Sequence, residues 1–144
     1  MTDAVRGCVE AIGRCLALLD DLAPEAFSER PGGAASAGEH LRHGADHFAR
    51  FEAGYGSGVI DYDRRERNPE LERDPALCRA RYAAAAAWLA SLPDDTLSRA
   101  VVVRHTVASD AAPSAMTSTA ERELAFLSAH TLHHLALAEL TLRL

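Results

Sequence analysis

The chain has 144 residues, 15 Arg or Lys against 21 Asp or Glu, and a formal net charge of −6. That length supports one domain with a real core, taken as residues 1–144, and is too short for two. The acidic balance argues against a nucleic-acid binder, which ordinarily presents a basic face.

The hydrophobic fraction of 48% is carried largely by Ala and Leu, and only 6% of the residues are aromatic. This favours closely packed helices and an all-α class. Every cation is Arg, a compositional bias that decides little about function. Cys8, Cys15 and Cys78 form an odd set with no CxxC spacing, so they are expected as reduced core residues. There is no charged-then-apolar leader and no apolar run approaching ~18 residues, so neither a secretory signal nor a membrane span is expected, and a cytoplasmic location is.

The first helix is predicted from about Thr2 to Leu22, with Val5, Val9, Ile12, Leu16 and Leu19 on its inner stripe and Thr2 or Asp3 as its cap. Pro24 and the Pro31-Gly32-Gly33 cluster end it and suggest a linker through about Ala35. Ser36 and Glu39 make an S-x-x-E capping box that starts the second helix, predicted to run to about Glu52. Leu41, Gly44 or Ala45, Phe48 and Phe51 form its inward stripe. His40, His43, His47 and Arg50 share the adjoining flank, with His40 and His47 nearer the stripe than His43.

Gly54, Gly56 and Gly58 break this helix, and a stretch of about twenty residues follows. A loop this long is usually functional or a crossover between helices that run the same way. Its charges alternate in sign, so it can fold back through ion pairs or present Arg65 and Arg67 to an anion. Asp74 and Pro75 read as the cap and first residue of a third helix, with Cys78, Tyr82, Ala85, Trp88 or Leu89, and Leu92 inward. Arg99 to Val107 is strand-like through Val101, Val102 and Val103, and can pair with the following segment as a short β-hairpin. His105 reads as a solvated residue. Ser118 and Glu121 suggest a second capping box for a fourth helix ending near Leu142.

That last helix carries the chemistry. His130 and His134 are four apart, so both imidazoles reach one point and can share a metal ion. Glu123, Leu127, Ala138 and Thr141 lie on the same stripe, which puts a carboxylate and two imidazoles into an otherwise apolar seam. Of seven histidines, six fall in two segments: His40, His43 and His47, then His130, His133 and His134. One His from the second helix and the i, i+4 pair from the fourth can make a three-nitrogen site with open positions. A hydrogen-bonded histidine network without metal is the other outcome of the same pattern.

The four-helix pattern, the segment Ser36-Ala-Gly-Glu-His-Leu-Arg-His-Gly-Ala-Asp-His47 and the segment Arg122-Glu-Leu-Ala-Phe-Leu-Ser-Ala-His-Thr-Leu-His-His134 together resemble the DinB-like superfamily of metalloenzymes. The loop Tyr62-Asp-Arg-Arg-Glu-Arg67 looks like one branch of it. The resemblance covers nearly the whole chain. It implies a four-helix bundle with a long crossover between helices two and three, often a homodimer, and a divalent metal, commonly nickel or zinc. The positions that match its ligands are His43, His130 and His134; His47, His40 and His133 would surround them.

Members with assigned activity include S-transferases for low-molecular-weight thiols and a thiol-dependent maleylpyruvate isomerase. The resemblance therefore implies a metal-dependent transferase acting on such a thiol and an electrophile. Glu123 is the candidate to orient a ligand ring or accept a proton. Tyr62, Asp63, Arg65 and Arg67 are the candidate substrate-binding groups. The other reading is a non-enzymatic metal-binding or stress-associated protein, because a fold by itself carries little information about a reaction.

Overall fold

The structure is a computed structural model describing residues 1–144. The chain is mostly helical, with helices α1 (Asp3–Asp21), α2 (Pro24–Ser28), α3 (Ala37–Tyr55), α4 (Pro75–Ala90) and α5 (Ala120–Thr141), and strands β1 (Val59–Asp61), β2 (Ala100–His105) and β3 (Ser114–Thr119). The all-α expectation therefore fits the bulk of the chain, and the expected short hairpin is joined by a third strand, β1, that was not expected. No helix is long and apolar enough to cross a membrane.

Local chemistry explains most helix starts. Thr2 accepts from the Val5 N–H at the head of α1. Ser36 and Glu39 exchange both bonds of a capping box, at 3.0 and 2.7 Å. Asp74 accepts from the Ala76 and Leu77 N–H groups ahead of α4, with Pro75 in its first turn. The expected box of Ser118 and Glu121 does not form. Thr119 caps α5 instead, while the Glu121 N–H goes to the Leu97 carbonyl and Ser118 stays in β3.

Two further differences have physical causes. The segment after Pro24 is not a plain linker: it makes the short helix α2, which buries Phe27 completely. Gly54 does not end α3; it is buried within it because the Val59 carbonyl lies where a Cβ would stand, and the reversal comes at Gly58, with φ of 76°. The chain then enters β1 directly. The following stretch is organised by β1, by the 3₁₀ turn Pro69–Glu72 and by Arg42, which binds both Asp46 and Glu72.

The four long helices share one core. α3 packs on α4 and α5, and α1 packs on the same two. Tyr82 donates to the Leu41 carbonyl and lies against Phe48, whereas Trp88 meets Phe51 and Tyr55, so positions along α3 and α4 advance together and the two run the same way. Between α3 and α5 the order reverses: His40 meets His134 and His47 meets His130. Cys8, Cys15 and Cys78 are free and buried, as expected.

The sheet has the order β1-β2-β3. The expected hairpin is present, with Val103 opposite Met116 and Val101 opposite Ser118. β1 adds in parallel, with Ile60 opposite Val103. Val101 and Val103 are buried and Val102 is exposed, the period of a strand with one covered face. This covered face lies beside α5 and delivers Ser118 to Glu123.

Close packing of α3 on α4 depends on Gly44, whose missing Cβ leaves room for the Tyr82 hydroxyl 2.6 Å from that position. Gly44→Ala is expected to cost about 1–3 kcal/mol through overpacking. Gly13→Ala, where nothing lies within 4 Å of the added carbon, is expected to be neutral or stabilising by up to ~1 kcal/mol. Denaturant unfolding of both variants checks this; equal stabilities would contradict the close approach.

Candidate metal centre

The facing stripes of α3 and α5 bring four imidazoles together. His43, His47 and His130 each offer a ring nitrogen, all within 4.8 Å of one another. His134 adjoins them, its ring centroid 4.2 Å from that of His43 and 4.6 Å from that of His130. His40 stands behind His134, with their Nδ1 atoms 3.4 Å apart. His133 is exposed and touches only the edge of His134. His47 is the most buried of the four at 4% exposure, as the helical periodicity of α3 requires.

One hydrogen bond fixes a ring of the cluster, and one ring nitrogen is left without a partner. His47 donates Nδ1–H to the His43 carbonyl at 2.8 Å, which leaves its Nε2 bare. This is the arrangement by which ligating histidines are usually held. His130 Nε2 is buried with no hydrogen-bond partner. An orphaned ring nitrogen in a group of neutral imidazoles is costly in a finished core and is what a divalent cation would satisfy. The donor set thus fits a borderline metal such as zinc or nickel.

Burial, reinforced by the neighbouring rings and by Arg65, keeps the cluster uncharged. His43 falls from 6.5 to about 2, His47 to about 3 and His134 to about 4, and burial lowers His40 and His130 as well. Neutral imidazole is the form that binds metal.

The loop residues divide. Arg65 places Nη1 at 3.2 and 3.3 Å from the two ring nitrogens of His43, equidistant and therefore over the ring face. Its Nε is buried without a partner. Asp63 is occupied elsewhere, accepting from His105 and from both the N–H and hydroxyl of Thr106, so it clasps the loop to the end of β2. His105, read from sequence as solvated, is half-exposed and tied into that clasp. Arg67 is exposed in a left-handed conformation, with φ of 52°. Tyr62 is buried, with its ring 5.4 Å from that of His47.

Glu123 makes no hydrogen bond or ion pair to a histidine. It is 2% exposed and accepts from the Tyr62 hydroxyl at 3.0 Å, the Ser118 hydroxyl at 2.7 Å and Arg122 at 3.0 Å. Its link to the cluster is Tyr62, whose phenol is pushed upward by burial and by Glu123 and so remains a donor. Phe126, four residues before His130, stacks on its ring at 5.2 Å. The i, i+4 spacing that pairs His130 with His134 places Phe126 on the same stripe, but its apolar side chain reads as core in the sequence.

The lowered pKa values carry a sign. Between about 6.5 and the folded values the unfolded chain binds more protons, so stability falls as pH falls. Chelator-treated protein is expected to hold its thermal midpoint above about pH 6.5 and to lose it steadily toward pH ~5, before the carboxylates titrate. A midpoint unchanged from pH 7 to 5 would show that the rings protonate freely in place.

No curated protein and no solved structure matches the chain. The family profile of the DinB superfamily matches residues 9–138, which span α1 to α5 and include all six clustered histidines. By that match, the chain belongs to the DinB superfamily.

Proposed function

We propose that this protein binds one divalent metal ion in the histidine cluster and acts as a metal-dependent transferase joining a low-molecular-weight thiol to an electrophile. The observation that carries the metal reading is the group His43, His47 and His130, assembled neutral and with His130 Nε2 unpartnered. The same reading takes the four long helices as a four-helix bundle and residues 56–74 as its crossover, supported by the common direction of α3 and α4.

His43 and His130 are the constant members of the ligand set. The third is His134 by family correspondence and His47 by the convergence of ring nitrogens and its held tautomer. When bound, a metal with an open position supplies Lewis acidity and holds a thiol as its thiolate. The chain's own residues do the rest. Arg65, unpaired at Nε over His43, is the anchor for a substrate carboxylate, with Arg67 beside it on the loop. Tyr62 and Phe126 wall the cluster against water, and Glu123 holds Tyr62 in place.

One observation favours the second reading, a non-catalytic metal-binding protein. Four imidazoles adjoin one another, and if all four bind, the coordination closes and no position remains for substrate.

Elemental analysis of protein purified without an affinity tag or added metal tests the site. About one equivalent of nickel, zinc or another divalent ion is expected, and His130→Ala is expected to lose it while keeping its helicity. His47→Ala and His134→Ala, compared by metal titration, should differ: a true ligand is expected to weaken binding more than the ~10–100-fold typical of an outer residue. Full metal retention in His130→Ala would refute the site. Arg65→Gln is expected to leave metal content unchanged and to raise the KM for a carboxylate-bearing thiol; an unchanged KM would remove Arg65 from substrate binding.

A further inference from the structure

One row of side chains crosses the covered face of the sheet: Ile60, Val103 and Met116, joined by the strand register. Directly paired residues point to the same face. The cover falls off along the row: Ile60 is 0% exposed and Val103 5%, while Met116, on the edge strand β3, is 41% exposed.

What lies beside Met116 is a cavity of about 180 Å³ walled by Tyr62, Val103, Met116 and Phe126, with His105, Arg122 and Glu123 also lining it. A second cavity of about 220 Å³ shares Val103, Met116, Arg122 and Glu123 and adds Thr117 and Ser118, so the space continues along β3. Tyr62 and Phe126 are the same rings that lie against His47 and His130, at 5.4 and 5.2 Å. The slot therefore shares two of its rings with the histidine cluster.

We infer that this slot binds the aromatic ring of a small molecule. Apolar cavities of about 150 Å³ accept a benzene ring, so the volume suits one ring. The lining selects an arene over a saturated chain of the same size. Tyr62 and Phe126 offer ring contacts, the Met116 thioether favours an aromatic partner, and the Arg122 guanidinium, already 5.9 Å above Phe126, can lie over a bound ring's face. The one arginine of the lining is already paired with Glu123, so the slot selects an uncharged ring and not an anion. Placed here, the ring deepens the proposed transferase reading by seating the apolar arm of the electrophile. Ring binding itself needs no metal.

The test uses the methyl signals of methionine, because Met116 shares the chain with only one other, the exposed Met1. The chelator-treated full chain, labelled with ¹³C at the methionine methyls, is titrated with benzyl alcohol and, separately, with cyclohexylmethanol. The Met116 signal is expected to move upfield and saturate within tens of millimolar benzyl alcohol, while Met1 does not move. Cyclohexylmethanol is expected to bind at least about threefold more weakly. Arg122→Gln, a change at an exposed side chain, is expected to bring the benzyl alcohol affinity down toward that of the saturated alcohol, and Val103→Phe to abolish the shift by filling the slot. A Met116 signal that does not saturate, equal affinities for the two alcohols, or an unchanged affinity in Arg122→Gln would overturn the inference. Because the titration is run without metal, a failed metal assay leaves its result standing, and a failed titration leaves the metal assay standing.

Discussion

The contact between α3 and α5 puts imidazoles where a helix seam normally carries aliphatic side chains, and the rest of the site answers that substitution. His43 and His47 from one helix meet His130 and His134 from the other. Taking several titratable rings out of water is tolerable only if they stay neutral and their nitrogens find partners. Neutrality is secured by burial and by their mutual proximity. Partners are only partly secured, through the His43 carbonyl for His47 and the His40–His134 contact. His130 Nε2 has no partner within the fold.

A second buried polar node supports the first from the side. Glu123 gathers the hydroxyls of Tyr62 from the loop after β1 and Ser118 from β3, and so ties α5 to both edges of the sheet. Through Tyr62 and Phe126 this node forms the wall of the histidine cluster. The same two rings adjoin the imidazoles and line the slot beside Met116, which is why the small sheet belongs to the site and is not an ornament of the helices. The Asp63 clasp on His105 and Thr106 fixes the start of the loop that carries Arg65 over His43.

Much of this was legible in the sequence, for identifiable reasons. Capping signals at Ser36 and Asp74 are short-range and survive into the fold because each satisfies N–H groups that the helix cannot satisfy itself. The i, i+4 pair His130 and His134 follows from helix geometry alone, and the inward lean of His47 follows from the period of α3. What could not be read depends on partners far apart in the chain. β1 has three residues and no period of its own; it exists because Gly54 admits the Val59 backbone and because β2, some forty residues on, offers an edge. Glu123 announces itself as a polar residue on an apolar stripe, but its partners Tyr62 and Ser118 lie in a loop and a strand end. Asp63 is one more charge in an alternating run until β2 brings Thr106 to it. The cap of α5 moved by one residue because Ser118 had a better partner in Glu123.

The cluster, on the proposed reading, is a set of neutral imidazoles holding lone pairs ready for a cation. Nitrogen NMR of ¹⁵N-histidine protein at pH ~6.5, before and after one equivalent of zinc, tests it most directly. Neutral cluster rings are expected before zinc, with His47 in the Nδ1–H tautomer, and a shift of the bare nitrogens of His43 and His130 when zinc is added. Protonated rings at that pH, or spectra that zinc leaves unchanged, would contradict it.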